Sequence, residues 1–209
     1  MPTGLLIIDI QNDYFPGGKM ELEGSDQAAK TARQLLNFFR ARHLPVFHIQ
    51  HLATRPRVVP NPVVPNPVVP NPVVPNPATF FLPGTSGAEI HPEVQPLENE
   101  TVVQKHFPNS FRETELLQLL QQHQVQRLAI AGMMTHMCVD ATVRAATDHG
   151  FECLIAHDAC ATRALNFGGR TVPAPDVHAA FLAALNGTYG KVLSTAEIIA
   201  KGFDDLTEE

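Results

Sequence analysis

The chain lacks an excess of positive charge, has no long apolar run and carries few cysteines, and each shortage closes off a class of function. Fifteen lysines and arginines stand against twenty-one aspartates and glutamates, a formal net charge of -6 with histidine neutral. That balance provides no electrostatic footprint for nucleic acid or an anionic membrane, so no nucleic-acid or membrane partner is expected and a small, diffusible one is. The longest aliphatic run near the start, Leu5 to Ile8, is far short of a membrane span and no basic residue precedes it. Neither a signal peptide nor a transmembrane helix is expected, and the protein reads as soluble and cytoplasmic. Three cysteines, an odd number without C-x-x-C spacing, do not build a disulfide framework. At least one of them is free to be a working thiol.

What is present suffices for one sizeable core. With 209 residues, 44% hydrophobic and 17% charged, the chain reads as one domain over 1–209. Short apolar runs at Gly4 to Ile10, Pro45 to Gln50, Thr101 to Gln104, Arg127 to Gly132, Phe151 to Ala156 and Lys191 to Ser194 predict six strands. Between them lie helical stripes: Ala28, Ala32, Leu35, Leu36 and Phe39, then Leu116, Leu119, Leu120 and His123, then Val139, Val143 and Ala146, then Val177, Phe181 and Leu185. Alternation of this kind predicts an α/β fold with a parallel sheet and right-handed crossovers.

One segment breaks the pattern. Val58 to Pro77 is V-V-P-N-P repeated four times without a substitution and holds eight of the eighteen prolines. Proline removes ladder donors and fixes φ, so this stretch is neither a central strand nor a helix and is expected to be polyproline II-like or irregular. It reads as a tandem expansion or an engineered insertion within a loop. Two functional readings stand beside that one: a PxxP ligand such as Pro62-Val63-Val64-Pro65 for an aromatic groove, or a cover over the active-site mouth.

In a parallel sheet ligands bind beyond the carboxyl ends of the strands, where three ionisable residues stand. Asp9 lies near the end of the first strand, Lys105 follows the run Thr101 to Gln104, and Cys138 comes six residues after Gly132. Cys138 is expected in the first turn of a helix. With Thr135 as N-cap, unpaired backbone N–H groups and the helix dipole would favour thiolate over thiol, and the same amides would hold an oxyanion. The plainer alternatives are a buried small hydrophobe for Cys138, a turn-capping carboxylate for Asp9 and a solvated lysine for Lys105. Cys153 and Cys160 lack a helix-start setting and read as packing residues.

These residues also carry a resemblance. Asp9 in L-L-I-I-D-I-Q-N-D-Y-F, Lys105 in V-V-Q-K-H-F-P-N-S-F and Cys138 in A-G-M-M-T-H-M-C-V-D resemble the Asp-Lys-Cys triad of the isochorismatase-like cysteine hydrolases. Pro83 to His91, Asp158 to Ala161 and the tail from Leu193 to Ile198 extend the match over nearly the whole chain apart from the repeat. The resemblance implies a Rossmann-like, three-layer fold with a six-stranded, mainly parallel sheet, a cis peptide at Met133–Met134, and a homo-oligomer. It also implies a mechanism for cleaving the C–N bond of a small amide. Asp9 takes the thiol proton, Cys138 attacks, Lys105 orients Asp9 and stabilises negative charge, and the N–H groups of Met134 and Cys138 form the oxyanion hole.

The chain departs from one family pattern. Nicotinamidases of this superfamily carry an Asp-x-His metal site after the second strand, whereas the matching stretch here is Gln50-His51-Leu52-Ala53. His48 and His51, three apart on a strand, point to opposite faces. No catalytic metal and no cofactor are therefore expected. Isochorismatase-type vinyl ether hydrolysis, which needs no sulfur nucleophile, and a non-catalytic scaffold that recruits a partner through the repeat are the competing readings.

Overall fold

The computed structural model describes residues 1–53 and 79–201. The repeat at 58–77, with the readings attached to it, lies outside the described residues. The elements run β1 (Thr3–Ile8), α1 (Ser25–Ala41), β2 (Val46–His51), β3 (Thr101–Lys105), α2 (Leu116–Gln122), β4 (Arg127–Met133), α3 (Asp140–Asp148) and β5 (Glu152–Ala161). The order ends with β6 (Leu165–Phe167), β7 (Arg170–Val172), α4 (Ala174–Leu185), β8 (Lys191–Leu193) and α5 (Thr195–Lys201).

Six strands form one sheet in the order β3-β2-β1-β4-β5-β8, every pairing parallel. All six positions of β1 and all seven of β4 are buried. Both faces of those strands must therefore be covered by helices, which explains the apolar runs Leu5–Ile8 and Leu128–Met133. Alternation divides the core accordingly. Leu5 and Ile7 of β1 pack with α1 and with Ile198 of α5. Leu6 and Ile8 pack on the other face with Leu116 and Leu120 of α2, Val143 and Ala146 of α3 and Leu185 of α4. The result is the expected three-layer α/β arrangement, and none of the described helices is long and apolar enough to cross a membrane.

The details depart from the sequence expectation in three places. β1 stops at Ile8, because Asp9 turns out of the ladder with φ 51. β5 continues to Ala161 past a register shift between Ile130 and Gly132 of its neighbour β4. A small antiparallel hairpin, β6–β7, follows β5; its tip is Gly168-Gly169 at positive φ, the backbone a tight hairpin turn needs. Past β2, Ala53 N–H donates to the carbonyl of Phe81 at 2.9 Å, so the chain leaves and re-enters the described fold at neighbouring points.

Candidate active site

The strand order reverses direction between β1 and β4, and the carboxyl edge of the sheet at such a switch point is where ligands bind in open α/β folds. Asp9 leaves β1 there. Its backbone N–H donates to Ile49 O at 3.0 Å, and its left-handed φ turns the residue out of the ladder, a conformation aspartate tolerates better than most residues. On β4, Gly132 pairs in register with Ile8 and has φ 150. A Cβ there would sit 2.2 Å from the carbonyl oxygen of Ile8, so glycine alone lets the two strands approach at this point. The Met133–Met134 peptide that follows is cis.

Cys138 arrives by a route the sequence reading did not anticipate. Residues Thr135–Val139 form a single π-helical turn ahead of α3, and the N-cap position is Met134, without a side-chain cap. Thr135 is fully buried; its hydroxyl lies 3.3 Å from Ala161 O, to which it donates, and 2.9 Å from Nδ1 of His178. It faces β5 and α4 instead of capping the turn. The expectation of a favoured thiolate fails with it. Burial pushes the Cys138 thiol well above its ordinary value, the Asp9 carboxylate pushes it further, and Lys105 only partly opposes them. At neutral pH the resting side chain is a thiol.

Lys105 is the last residue of β3, fully buried, with Nζ 2.7 Å from Oδ2 of Asp9, also fully buried. Burial alone would drive its proton off, but the charge of Asp9 and the sulfur of Cys138 outweigh that and hold the ammonium above its ordinary value. Nζ also donates to the carbonyls of Phe107 at 3.0 Å and Pro108 at 3.2 Å, and lies 3.2 Å from Nδ1 of His51. The Cys138 sulfur lies within 4.8 Å of an Asp9 carboxylate oxygen, close enough for its ionisation to feel both Asp9 and Lys105. Apart from Lys105, no donor among the described residues reaches the Asp9 carboxylate. Three ionisable groups far apart in sequence thus meet in one dry place.

Two neighbours escaped the sequence reading. His51, at the end of β2, has a ring nitrogen within 4.8 Å of an Asp9 carboxylate oxygen and of the Cys138 sulfur. Burial lowers it to about 4, so it is neutral at pH 7. Tyr14 is buried, and its hydroxyl is pushed up by burial and by the nearby Cys138 and Asp9. The sequence held one hint of Tyr14, which closes the polar cluster Asp9-Ile10-Gln11-Asn12-Asp13-Tyr14 right after an apolar run; in the structure Asp9, Gln11, Asp13 and Tyr14 are all buried and need partners. Asp13 finds one in the N–H of Phe81, at 2.6 Å. His48 turns away as expected, with Nε2 2.9 Å from Glu100. Asp9, His51 and Cys138 offer three donor atoms close enough for one metal ion. The ammonium of Lys105, 2.7 Å from Asp9 and 3.2 Å from His51, puts a positive charge where that ion would sit and opposes it.

Comparison with known sequences assigns this architecture. The Isochorismatase domain family model matches residues 3–197. The chain belongs to the isochorismatase family. It is 49% identical over 195 residues to YddQ, an uncharacterized isochorismatase family protein of Bacillus subtilis, covering 93% of this chain and 97% of that one. Nicotinamidase 3 of Arabidopsis thaliana is 32% identical over 162 residues, which span 77% of this chain and 73% of that enzyme. The crystal structure of a putative isochorismatase hydrolase from Oleispira antarctica superposes with a TM-score of 0.83 at 47% identity, covering 95% of this chain and 96% of that one. This isochorismatase-family chain thus shares both fold and descent with hydrolases.

Proposed function

We propose that this isochorismatase-family protein is a cysteine-dependent hydrolase of a small amide, with Asp9, Lys105 and Cys138 as its catalytic residues and 1–209 as a single hydrolase domain. The observation that carries the reading is the fully buried Asp9–Lys105 ion pair with a buried thiol within 4.8 Å of its carboxylate. Burying two opposite charges costs several kcal/mol per ion even when they are paired, and perturbed ionisable groups in a cleft mark working sites.

The chemistry follows from the protonation states. As the sulfur attacks the amide carbonyl, its proton passes to the Asp9 carboxylate. The ammonium of Lys105 balances the charge on sulfur during that transfer, and the N–H groups of Met134 and Cys138 receive the oxyanion. Collapse of the tetrahedral adduct breaks the C–N bond, and the nitrogen departs as ammonia or an amine carrying the proton from Asp9. Water, deprotonated by Asp9, then cleaves the thioester, and the acid product leaves with the thiol restored. A high resting thiol suits this order, because the proton moves only when substrate is in place.

Incubating wild type and Cys138→Ala with a panel of small amides and following ammonia release tests the reading. Loss of at least about 10³-fold in turnover is expected, as when a nucleophile is deleted from a linked catalytic set. Equal turnover by both proteins would remove the covalent mechanism.

A further inference from the structure

His51 carries an inference that rests on the proposed reaction and deepens it. The residue pairs in register with Lys105 across β2 and β3. Its backbone is clamped by one side chain: Gln11 Oε1 accepts from His51 N–H at 2.7 Å, and Gln11 Nε2 donates to His51 O at 2.9 Å. The ring packs beside Phe81, with centroids 5.8 Å apart. A histidine held by its main chain on both sides, and by an aromatic neighbour, has a defined ring position.

The charges that face it are Asp9 from the end of β1 and Lys105 and His106 from the end of β3, with the Cys138 thiol from the turn after β4. An ammonium can only donate, so the 3.2 Å contact makes Nδ1 of His51 an acceptor and places the ring proton on Nε2. Lys105 has three N–H bonds and four acceptors within 3.2 Å: Asp9, the carbonyls of Phe107 and Pro108, and His51. Deleting His51 therefore leaves no N–H of Lys105 without a partner. It changes only direction, because the two carbonyls then compete unopposed for the ammonium.

We propose that His51 is a positioning residue: its Nδ1 holds the ammonium of Lys105 against the pull of the Phe107 and Pro108 carbonyls, so that the positive charge stays beside the Asp9–Cys138 pair when the thiol proton leaves. The role needs an acceptor at that spot and a neutral ring. It does not require contact with substrate.

The test compares His51→Leu, which has no acceptor, with His51→Asn, whose amide oxygen can return one. Two readouts are used: turnover of the amide panel, and the rate at which iodoacetamide alkylates Cys138 at pH 7, which needs no substrate. His51→Leu is expected to alkylate and turn over about 10²-fold more slowly, the scale of a misplaced catalytic group, with KM within about threefold of wild type. His51→Asn is expected to recover at least a tenth of the wild-type rates, and all three proteins should melt alike within a few degrees. Alkylation of His51→Leu at the wild-type rate overturns the proposal, and so does a deficit shared equally by the leucine and asparagine variants. Failure of the amide reading shows separately, as ammonia release that survives Cys138→Ala while the alkylation rates still respond to residue 51.

Discussion

A carboxylate and an ammonium buried side by side depend on each other, and their loss is not additive. Lys105→Met leaves Asp9 charged and unpaired in the interior, and Asp9→Asn leaves Lys105 in the same position. Each is expected to destabilise the fold by about 3 to 5 kcal/mol. The double substitution should cost well below the sum, which a double-mutant cycle in urea measures directly. An additive result would mean that the pair is not coupled as the 2.7 Å contact requires. The placement of Asp9, Lys105 and Cys138 at one end of the sheet was legible in the sequence, because Asp9 and Lys105 stand where an apolar run gives out and Cys138 lies in the turn that follows another. His51 was not. It also ends a strand, but its partners come from β1, β3 and the turn after β4, and a single chain read along its length does not show which strands are neighbours.

At the scale of elements, β1 and β4 meet at a point that admits only glycine, Gly132 against Ile8. Gly132→Ala would drive a methyl into the backbone of Ile8 while holding a side chain at φ 150. A loss of at least about 2 kcal/mol is expected, read as a lower urea midpoint, together with reduced turnover because Asp9 and Cys138 hang from those two strands. Alanine at Gly150 has open space and only its positive φ to overcome, so it should cost less and leave catalysis alone. Strands buried on both faces were easy to recognise from unbroken aliphatic runs, and the helices from their stripes. The β6–β7 hairpin was missed because its residues are mostly exposed, so no apolar alternation marks it. The π turn was missed because nothing local distinguishes it from the first turn of an ordinary helix; the burial of Thr135 against β5 and α4 sets it.

For the whole molecule, the buried histidines set how it meets acid. Burial lowers His48 and, to about 4, His51. A histidine kept neutral in the fold takes its proton first when unfolded. Stability is therefore complete above the ordinary value of 6.5 and falls as pH drops from there toward the folded value, by up to about 1.4 kcal/mol per pH unit for each such group. Glu100 adds a second window. Burial would raise it, but hydrogen bonds from Arg40, the Leu97 N–H and His48 bring it to about 2, so what it contributes above its ordinary 4.5 is lost between there and about pH 2. Urea midpoints should decline continuously from about pH 6.5 downward, and Glu100→Gln should flatten the lower part of that decline while leaving the part near pH 6 in place. A midpoint that stayed level to pH 4 would contradict neutral burial of these rings.

The hydrogen bond from Ala53 to Phe81 bears on length variation. With entry and exit points already adjacent, removing Val58 to Pro77 asks nothing new of the sheet; melting within about 3 °C of the full chain and undiminished amide turnover are expected. By the same logic the position is a natural graft point. A foreign epitope or affinity tag spliced there would be presented from a base the scaffold itself fixes, and the melting temperature would serve as an internal gauge that the host had kept its shape.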